Sequence, residues 1–309
     1  MARSPEKRLL GRTGLESTFV GFGALEIGRD WGLGDAGERQ RPEDAEVGRV
    51  LHSVLDLGVN LIDTAAAYHR SEERIGAHIA GRRSEYVLAT KCGEHNREPD
   101  TFYDFSYGAI RRSIDESLAK LGTDVVDLMQ IHFGPDPRKV LDDGATVAAM
   151  KDAQAEGKIR FLGASAGGDI ALRCLASGDF DVLQLEYSLT NRSDEGVVRR
   201  CGERGIGVLV RGGLAYGRLT TRVIPHLERL NEREESLTKA LLALVGGDGR
   251  KLTALALQFL YRNPHVSSVL AGTRRAEHVK ANLYLVDLDL GPGTLEEAIT
   301  ITAPPPPVA

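Results

Sequence analysis

The stretch PEDAEVGRVLHSVLDLGVNLID, residues 42–63, changes its hydrophobic period part-way along. Its first part repeats apolar residues at helical spacing, with Val47, Val50 and Leu51 on one face and Pro42 near the first turn. The run GVNLID at its end is too short for a free-standing helix and is typical of a strand buried on both faces of a parallel sheet. The stretch therefore predicts a helix that is followed directly by a buried strand.

The rest of the chain repeats this alternation. Further apolar runs of the same kind fall at residues 18–23, 85–91, 125–132, 159–165, 181–187, 205–212 and 266–272. Helical patterns lie between them, and the one over residues 106–122 stops at a C-terminal glycine, Gly122. Eight strands that alternate with helices over roughly 250 residues predict an α/β fold, a single-domain (β/α)8 TIM barrel.

Several segments depart from the barrel rhythm. We expect one domain over residues 1–309, with the core barrel at 8–290 and a short hairpin over residues 11–14 before it. Residues 217–250 are too long for a simple connection and predict a partly helical insertion that overhangs the barrel mouth. The proline-rich tail, residues 303–309, is expected to be a flexible end.

A doubly wound open sheet is the alternative fold, and it would need a glycine-rich phosphate turn directly after a strand. The sequence GLGDAG at residues 32–37 matches that motif formally. No strand pattern precedes it directly and no helical pattern follows it directly, so the motif is interpreted as a flexible loop above the first strand.

The composition excludes several classes of function. The formal net charge of −5 comes without a basic stripe, so we expect no nucleic-acid partner. No apolar run approaches the ~18 residues of a membrane span, and the start lacks a signal-peptide core, so a cytoplasmic protein without a membrane partner is expected. The three cysteines are odd in number and far apart, which predicts free thiols and, with no second pair of ligands near Cys92 and His95, no metal site. The sequence does not give the oligomeric state.

Four polar residues lie at or just after the ends of three successive predicted strands. Asp63, Lys91 and His132 each end an apolar run, and Tyr68 follows on the loop after Asp63. In a barrel of this type the carboxyl ends of the strands carry the active site, and neighbouring strands are only about 4.8 Å apart. We therefore expect these four side chains to converge.

The four residue types suit one kind of chemistry. An ammonium from Lys91 would favour ionisation of the Tyr68 phenol, and Asp63 would keep that ammonium charged. His132 could hydrogen-bond a carbonyl oxygen next to the tyrosine hydroxyl. The set fits a reaction that protonates an oxyanion while another group delivers hydride.

Each residue taken singly has a simpler interpretation. A strand-end Asp caps the next helix, a loop Tyr packs, a strand-end Lys extends to solvent, and a His after an apolar strand is a satisfied core residue. Their occurrence in order on three successive strands favours the catalytic interpretation.

Longer motifs resemble the aldo-keto reductases from about residue 8 to about residue 285. DTAAAYHRSEERIG at 63–76 is similar to the family's DTA-x-x-Y-x-x-SE-x-x-(L/I)-G signature. Three further stretches each resemble a different family motif: LGTDVVDLMQIH the LGTD-x-(V/I)-DL-x-x-(L/I)-H run, GKIRFLGAS the GK-(I/V)-R-x-(I/L)-G-x-S strand, and LQLEYSLTNR the (L/V)-Q-x-x-YS-L-x-NR strand. The resemblance implies an enzyme that interconverts a small carbonyl compound and an alcohol by hydride transfer. It makes Asp63, Tyr68, Lys91 and His132 the catalytic tetrad, with Tyr68 as general acid in reduction and general base in oxidation.

The resemblance also implies a nicotinamide dinucleotide that lies extended across the barrel mouth without a Rossmann motif. Ser165 and Gln184 would hold the carboxamide, and Tyr187 would stack on the nicotinamide ring. The remaining cofactor contacts would come from Arg211, Gly212, Gly213 and Leu214 along the pyrophosphate, and from Gly272, Thr273, Arg274, His278 and Asn282 around the adenosine end.

Three positions depart from the family's pattern. Ala166 stands where an asparagine commonly follows the serine, which removes one hydrogen bond worth about 1 kcal/mol. His278 stands where many members have an arginine, while Arg274 lies nearby and could grip a 2′-phosphate. Arg211 replaces a common tyrosine. We expect NADP(H) to be preferred, with NAD(H) possible.

The predicted mouth loops would set the substrate, and the expected contacts are Trp31, His95, Phe102 and Tyr103. An aldehyde, a ketone or a sugar-like carbonyl would fit. Two other functions stay open: a regulatory subunit that senses cofactor with little or no turnover, and a barrel with non-redox chemistry.

Overall fold

The computed structural model describes residues 5–303. The predicted flexible tail lies outside the described residues except for Ala303. The strands are β1 (Lys7–Leu9), β2 (Glu16–Thr18), β3 (Val20–Gly23), β4 (Leu61–Asp63), β5 (Val87–Cys92), β6 (Glu94–Arg97), β7 (Asp100–Tyr103), β8 (Val126–His132), β9 (Ile159–Ser165), β10 (Val182–Glu186), β11 (Gly207–Arg211) and β12 (Ser268–Gly272). The α-helices are α1 (Leu25–Gly28), α2 (Ala36–Arg39), α3 (Asp44–Asp56), α4 (Ser71–Ile79), α5 (Tyr107–Leu121), α6 (Pro137–Asp143), α7 (Ala145–Ala155), α8 (Gly168–Ser177), α9 (Glu195–Glu203), α10 (Glu232–Leu244), α11 (Gly249–Tyr261), α12 (Ala276–Leu285) and α13 (Thr294–Ile301).

Eight strands close into a parallel barrel in chain order. The neighbours run β3, β4, β5, β8, β9, β10, β11, β12, and β12 pairs with β3 to close the ring. Each predicted apolar run contributes one barrel strand, so the predicted (β/α)8 barrel is confirmed. The carboxyl ends of all eight strands consequently face one mouth.

Two apolar layers hold the barrel together. A small cluster fills the interior, and a larger one lies between the strands and the surrounding helices. The interior cluster consists of Leu10, Leu61, Val87, Ala89, Leu128, Val182 and Leu209. Leu10 comes from the turn between β1 and β2, the predicted N-terminal hairpin, so this hairpin covers the end of the barrel opposite the mouth.

Gly11 in that turn has to be a glycine. Its φ is +57°, and a Cβ added there would lie 2.2 Å from the backbone nitrogen of Gly207. The close approach lets the hairpin seat directly against the start of β11.

Three mouth segments differ in detail from the prediction. The GLGDAG motif is not all loop, because Asp35 caps the short helix α2 in a capping box with Glu38. The insertion carries a 3-10 helix, Thr221–Arg229, and then α10. The segment after β5 forms an antiparallel hairpin, β6 and β7, where only a loop was predicted.

The cysteines are Cys92, Cys174 and Cys201, and all three are buried and free, as predicted. Burial raises the pKa of each thiol to about 12. Within residues 5–303, no helix combines the length and apolar character that crossing a bilayer requires.

Candidate active site

A buried ion pair between adjacent strands lies at the base of the site. Nζ of Lys91 lies 2.5 Å from Oδ2 of Asp63 and also donates to the carbonyl of Thr64 at 2.9 Å. The two side chains are 1% and 4% exposed. Burial acts to lower the pKa of Lys91, but Asp63 and Tyr68 together outweigh it, and the pKa lies above its ordinary value. Lys91 is therefore an ammonium at neutral pH.

Two glutamine amides hold the other oxygen of Asp63. Nε2 of Gln130 donates to Oδ1 at 2.8 Å, and Nε2 of Gln184 donates to the same oxygen at 2.9 Å. Oε1 of Gln184 accepts from Ser165 at 3.4 Å. The predicted carboxamide-binding pair thus forms part of the network that orients Asp63. Sequence reasoning missed Gln130, although it lies two residues before His132 and so shares its side of the strand.

Tyr68 lies above this ion pair at the floor of the mouth cavity. Nζ of Lys91 is 4.8 Å from the centre of the tyrosine ring, and the ring meets His132 edge to face at 6.0 Å. Burial raises the pKa of the phenol, and the charge of Lys91 acts against that rise. Lys91 therefore acts in the expected direction, but the net pKa lies above its ordinary value, so the phenol carries its proton in the protein alone.

His132 has a carboxylate partner. Nδ1 of His132 lies 2.9 Å from Oε2 of Glu94, the first residue of β6, although the angle is not that of a good hydrogen bond. Thr101 on β7 donates to the other Glu94 oxygen at 2.6 Å. Burial acts to raise the pKa of Glu94, but these contacts and the charge of Arg29 hold it at about 2. Glu94 is therefore ionised at neutral pH.

A cavity of about 980 Å³ opens above Tyr68 and His132. Most of the residues that the sequence predicted for dinucleotide binding line it. The predicted residues that line it are Trp31, Asp63, Tyr68, His132, Ser165, Gln184, Arg211, Gly212, Gly213, Leu214, Gly272, Thr273, His278 and Asn282. Arginines that the prediction did not include line it as well, namely Arg218, Arg222 and Arg250. Their charges fit the pyrophosphate of a dinucleotide.

Tyr187 does not occupy the position that was predicted for it. Its ring packs against Phe259, its hydroxyl donates to Glu195 at 2.8 Å, and it is 1% exposed. It faces the helix layer, because it follows β10 at a position that points outward from the barrel. Stacking on a nicotinamide ring is therefore the wrong role for Tyr187.

Tyr216 lies where an aromatic ring can reach the cavity. It lines the cavity, and its hydroxyl donates to Glu186 at 2.7 Å. Arg211 donates to the same Glu186 oxygen at 3.0 Å and to Tyr216 at 2.9 Å. Glu186 thus fixes both groups at the cavity wall, and the sequence prediction missed Glu186 and Tyr216.

Arg274 lies beside the cavity and is engaged by an acid. Its Nε donates to Oε2 of Glu26 at 3.1 Å, and Arg222 donates to Oε1 of Glu26 at 3.0 Å. Nδ1 of His278 forms a hydrogen bond of 3.2 Å with the Thr273 hydroxyl. Burial lowers the pKa of the imidazole. The end of the cavity where the adenosine was predicted therefore has two guanidinium groups, one carboxylate and one neutral imidazole in or beside its wall.

Three of the four predicted substrate contacts lie outside the cavity. His95, Phe102 and Tyr103 belong to the hairpin β6–β7, where His95 stacks on Phe102 at 5.0 Å. Phe102 and Tyr103 are among the exposed aromatic residues. Of the four predicted contacts, only Trp31 lines the cavity. Arg29, Glu94 and Phe133 line the cavity as well. Within the described part of the chain, no group of three or more metal-ligating side chains comes together.

Comparison with known protein families identifies the family of this chain. The model of the Aldo/keto reductase family matches residues 20–296. The chain belongs to the aldo/keto reductase family. It is accordingly a nicotinamide-dependent oxidoreductase.

Three similar proteins match nearly the whole of this chain and are matched over nearly their whole length. L-galactose dehydrogenase of Arabidopsis thaliana is 32% identical, over 97% of this chain and 95% of that protein. The NADH-specific methylglyoxal reductase of Escherichia coli is 27% identical, over 91% and 93%. The holo form of the aldo-keto reductase AKR11C1 from Bacillus halodurans superposes with a TM-score of 0.82 at 28% identity, over 97% of both chains.

Proposed function

We propose that this protein interconverts a small polar carbonyl compound and its alcohol, with Tyr68 as the general acid and base. What supports this is the buried Asp63–Lys91 ion pair directly beneath a protonated phenol at the cavity floor. A bound nicotinamide supplies or accepts the hydride. The names of two relatives refer to L-galactose and to methylglyoxal, which are both small polar carbonyl compounds.

Each side chain has a separate task in the reduction. Tyr68 gives its proton to the substrate oxygen, and Lys91 stabilises the phenolate that remains. Asp63 keeps Lys91 charged, and Gln130 and Gln184 keep Asp63 in place. In the oxidation the phenolate of Tyr68 accepts the proton from the alcohol.

We also propose that NADP(H) is preferred over NAD(H). Arg274 and Arg222 lie together on Glu26, at the end of the cavity where the adenosine is expected, and guanidinium groups bind a 2′-phosphate well. Glu26 already engages both, so a 2′-phosphate has to compete with this carboxylate. The preference is therefore expected to be modest. Separate fluorescence titrations with NADPH and NADH measure it, and tighter binding of NADH would contradict it.

The substitution Tyr68→Phe tests the proposed reaction. Loss of a general acid lowers turnover by about 10²- to 10⁴-fold. We expect this loss across a panel of aldehydes, ketones and aldoses, with the affinity for NADPH unchanged. Tyr107→Phe is the matched control, since Tyr107 is an exposed helix residue that bonds Asp152 on the surface. Cofactor binding without any turnover in the unaltered protein would contradict the proposal and favour a cofactor-sensing subunit.

A further inference from the structure

The contact between Glu94 and His132 restricts where the imidazole proton lies. Nδ1 is buried and lies 2.9 Å from a carboxylate oxygen. Without a proton on Nδ1, an electron-rich ring nitrogen would lie 2.9 Å from a negatively charged oxygen, which is repulsive. Glu94 is ionised, since its pKa is held at about 2, so the proton has to come from the imidazole.

The other nitrogen of the same ring faces the reaction. His132 lines the cavity above Tyr68, and its Nε2 forms no hydrogen bond within the part of the chain that the structure describes. A ring with its proton on Nδ1 presents Nε2 to an alcohol as an acceptor. With a second proton it presents Nε2–H to a carbonyl oxygen, and the Glu94 carboxylate balances the added charge.

The position of Glu94 is itself fixed. Thr101, across the hairpin β6–β7, donates to Oε1 at 2.6 Å, which leaves Oε2 for His132. Glu94 is 11% exposed, so little water competes for either oxygen. The hairpin thus carries the carboxylate to the ring in a fixed geometry.

We propose that Glu94 is a positioning residue that holds a proton on Nδ1 of His132 and thereby presents Nε2 to the substrate oxygen. The effect that we expect on kcat rests on the proposed carbonyl–alcohol reaction. The consequence for the imidazole does not depend on any substrate. Glu94 acts through His132 and does not itself contact the reacting atoms.

The imidazole proton can be observed directly. Nitrogen-15 NMR of the histidine side chains distinguishes Nδ1–H from Nε2–H, and the spectrum of His132→Asn assigns the His132 signals among the 8 histidines of the chain. We expect His132 to carry its proton on Nδ1 in the unaltered protein. In Glu94→Gln, which keeps the shape and removes the charge, we expect the Nε2–H form to appear.

Kinetics supply the second measurement. Loss of the outer partner of a metal-bound imidazole costs about 10- to 100-fold, and we take the same range for an imidazole that is oriented by a carboxylate. We expect kcat of Glu94→Gln to fall in this range, with the Kd for NADPH unchanged. The matched control is Asp100→Asn, which removes one charge from an exposed position of the same hairpin and should leave kcat unchanged.

Two results would overturn the inference: an Nε2–H tautomer in the unaltered protein, or an unchanged kcat in Glu94→Gln. Failure of the proposed reaction is a different outcome. If the unaltered protein reduces no compound of the panel, the proposed function is wrong, while the NMR spectrum still decides between the two tautomers.

Discussion

The ion pair of Lys91 and Asp63 is stable in its buried position because its other polar atoms are also paired. Removing two charges from water costs several kcal/mol for each ion, and their attraction repays this only when further hydrogen bonds satisfy the rest. Thr64 supplies one such bond, and Gln130 and Gln184 supply two more. Removal of one partner leaves the other as an uncompensated buried charge.

Lys91→Met is therefore expected to lower the free energy of unfolding by about 3–5 kcal/mol, because Asp63 stays behind without its cation. Urea unfolding followed by circular dichroism measures this. Lys151→Met is the matched control, since Lys151 pairs with Asp179 on the surface and is 53% exposed. The control should lose only about 0–1 kcal/mol. Equal losses of unfolding free energy in the two variants would contradict the argument that burial makes removal of Lys91 costly.

For single residues, the sequence predicted the positions that depend on where a strand ends. It did not predict those that depend on contacts between distant elements. Asp63, Lys91 and His132 were found because each ends an apolar run, and the structure brings them together with Tyr68. Tyr187 was misplaced because its partners, Glu195 and Phe259, come from helices whose packing the local sequence does not show. The pKa direction of Tyr68 depends on burial, which no residue pattern gives.

Among the elements, the barrel helices pack closely where a glycine allows it. Gly76 lies inside α4, and a Cβ there would come 2.1 Å from the backbone oxygen of Lys120 at the end of α5. The absence of a side chain thus lets the two helices touch through their backbones. In contrast, Gly196 in α9 has open space around its missing Cβ.

Substitution of alanine for these two glycines should change the stability of the protein in opposite directions. Gly76→Ala forces the two helices apart and should destabilise the protein by about 1–3 kcal/mol, the usual cost of overpacking. Gly196→Ala should leave stability unchanged or raise it by up to about 1 kcal/mol, because alanine favours the helix and restricts the unfolded chain. Thermal unfolding of both variants measures the difference. A fall in Tm for Gly196→Ala as large as that for Gly76→Ala would contradict the packing argument.

The hairpin β6–β7 shows why one element escaped prediction. Its first strand reads EHNR and its second DTFY, so neither alternates apolar and polar residues as a half-buried strand does. Cross-strand contacts such as Thr101 with Glu94 hold it instead. The barrel strands, by contrast, are buried on both faces, and their apolar runs identify them without knowledge of any contact.

Across the whole molecule, Glu26 joins three segments around the mouth. It lies in α1 after β3, and it binds Arg222 of the insertion and Arg274 of the loop after β12. One carboxylate thus offsets part of the charge of two guanidinium groups, at the end of the cavity where the adenosine is expected. The same carboxylate opposes any phosphate that approaches them.

Glu26→Gln is expected to raise the affinity for NADPH relative to NADH, because it frees Arg222 and Arg274 for the 2′-phosphate. Fluorescence titration with each nucleotide gives the ratio of the two Kd values. Glu38→Gln is the matched control, since Glu38 contacts His226 of the same insertion away from the cavity lining. An unchanged ratio in Glu26→Gln would show that these arginines do not meet the 2′-phosphate.

The three sequestered thiols have a practical consequence for following how this molecule opens. Because a thiolate is the reactive form and burial raises each pKa to about 12, an alkylating reagent reacts with them only when the surrounding segment unfolds. Cys92 belongs to a barrel strand, whereas Cys174 and Cys201 lie on α8 and α9. Their separate labelling rates would report whether the outer helices detach before the barrel comes apart, without any engineered probe.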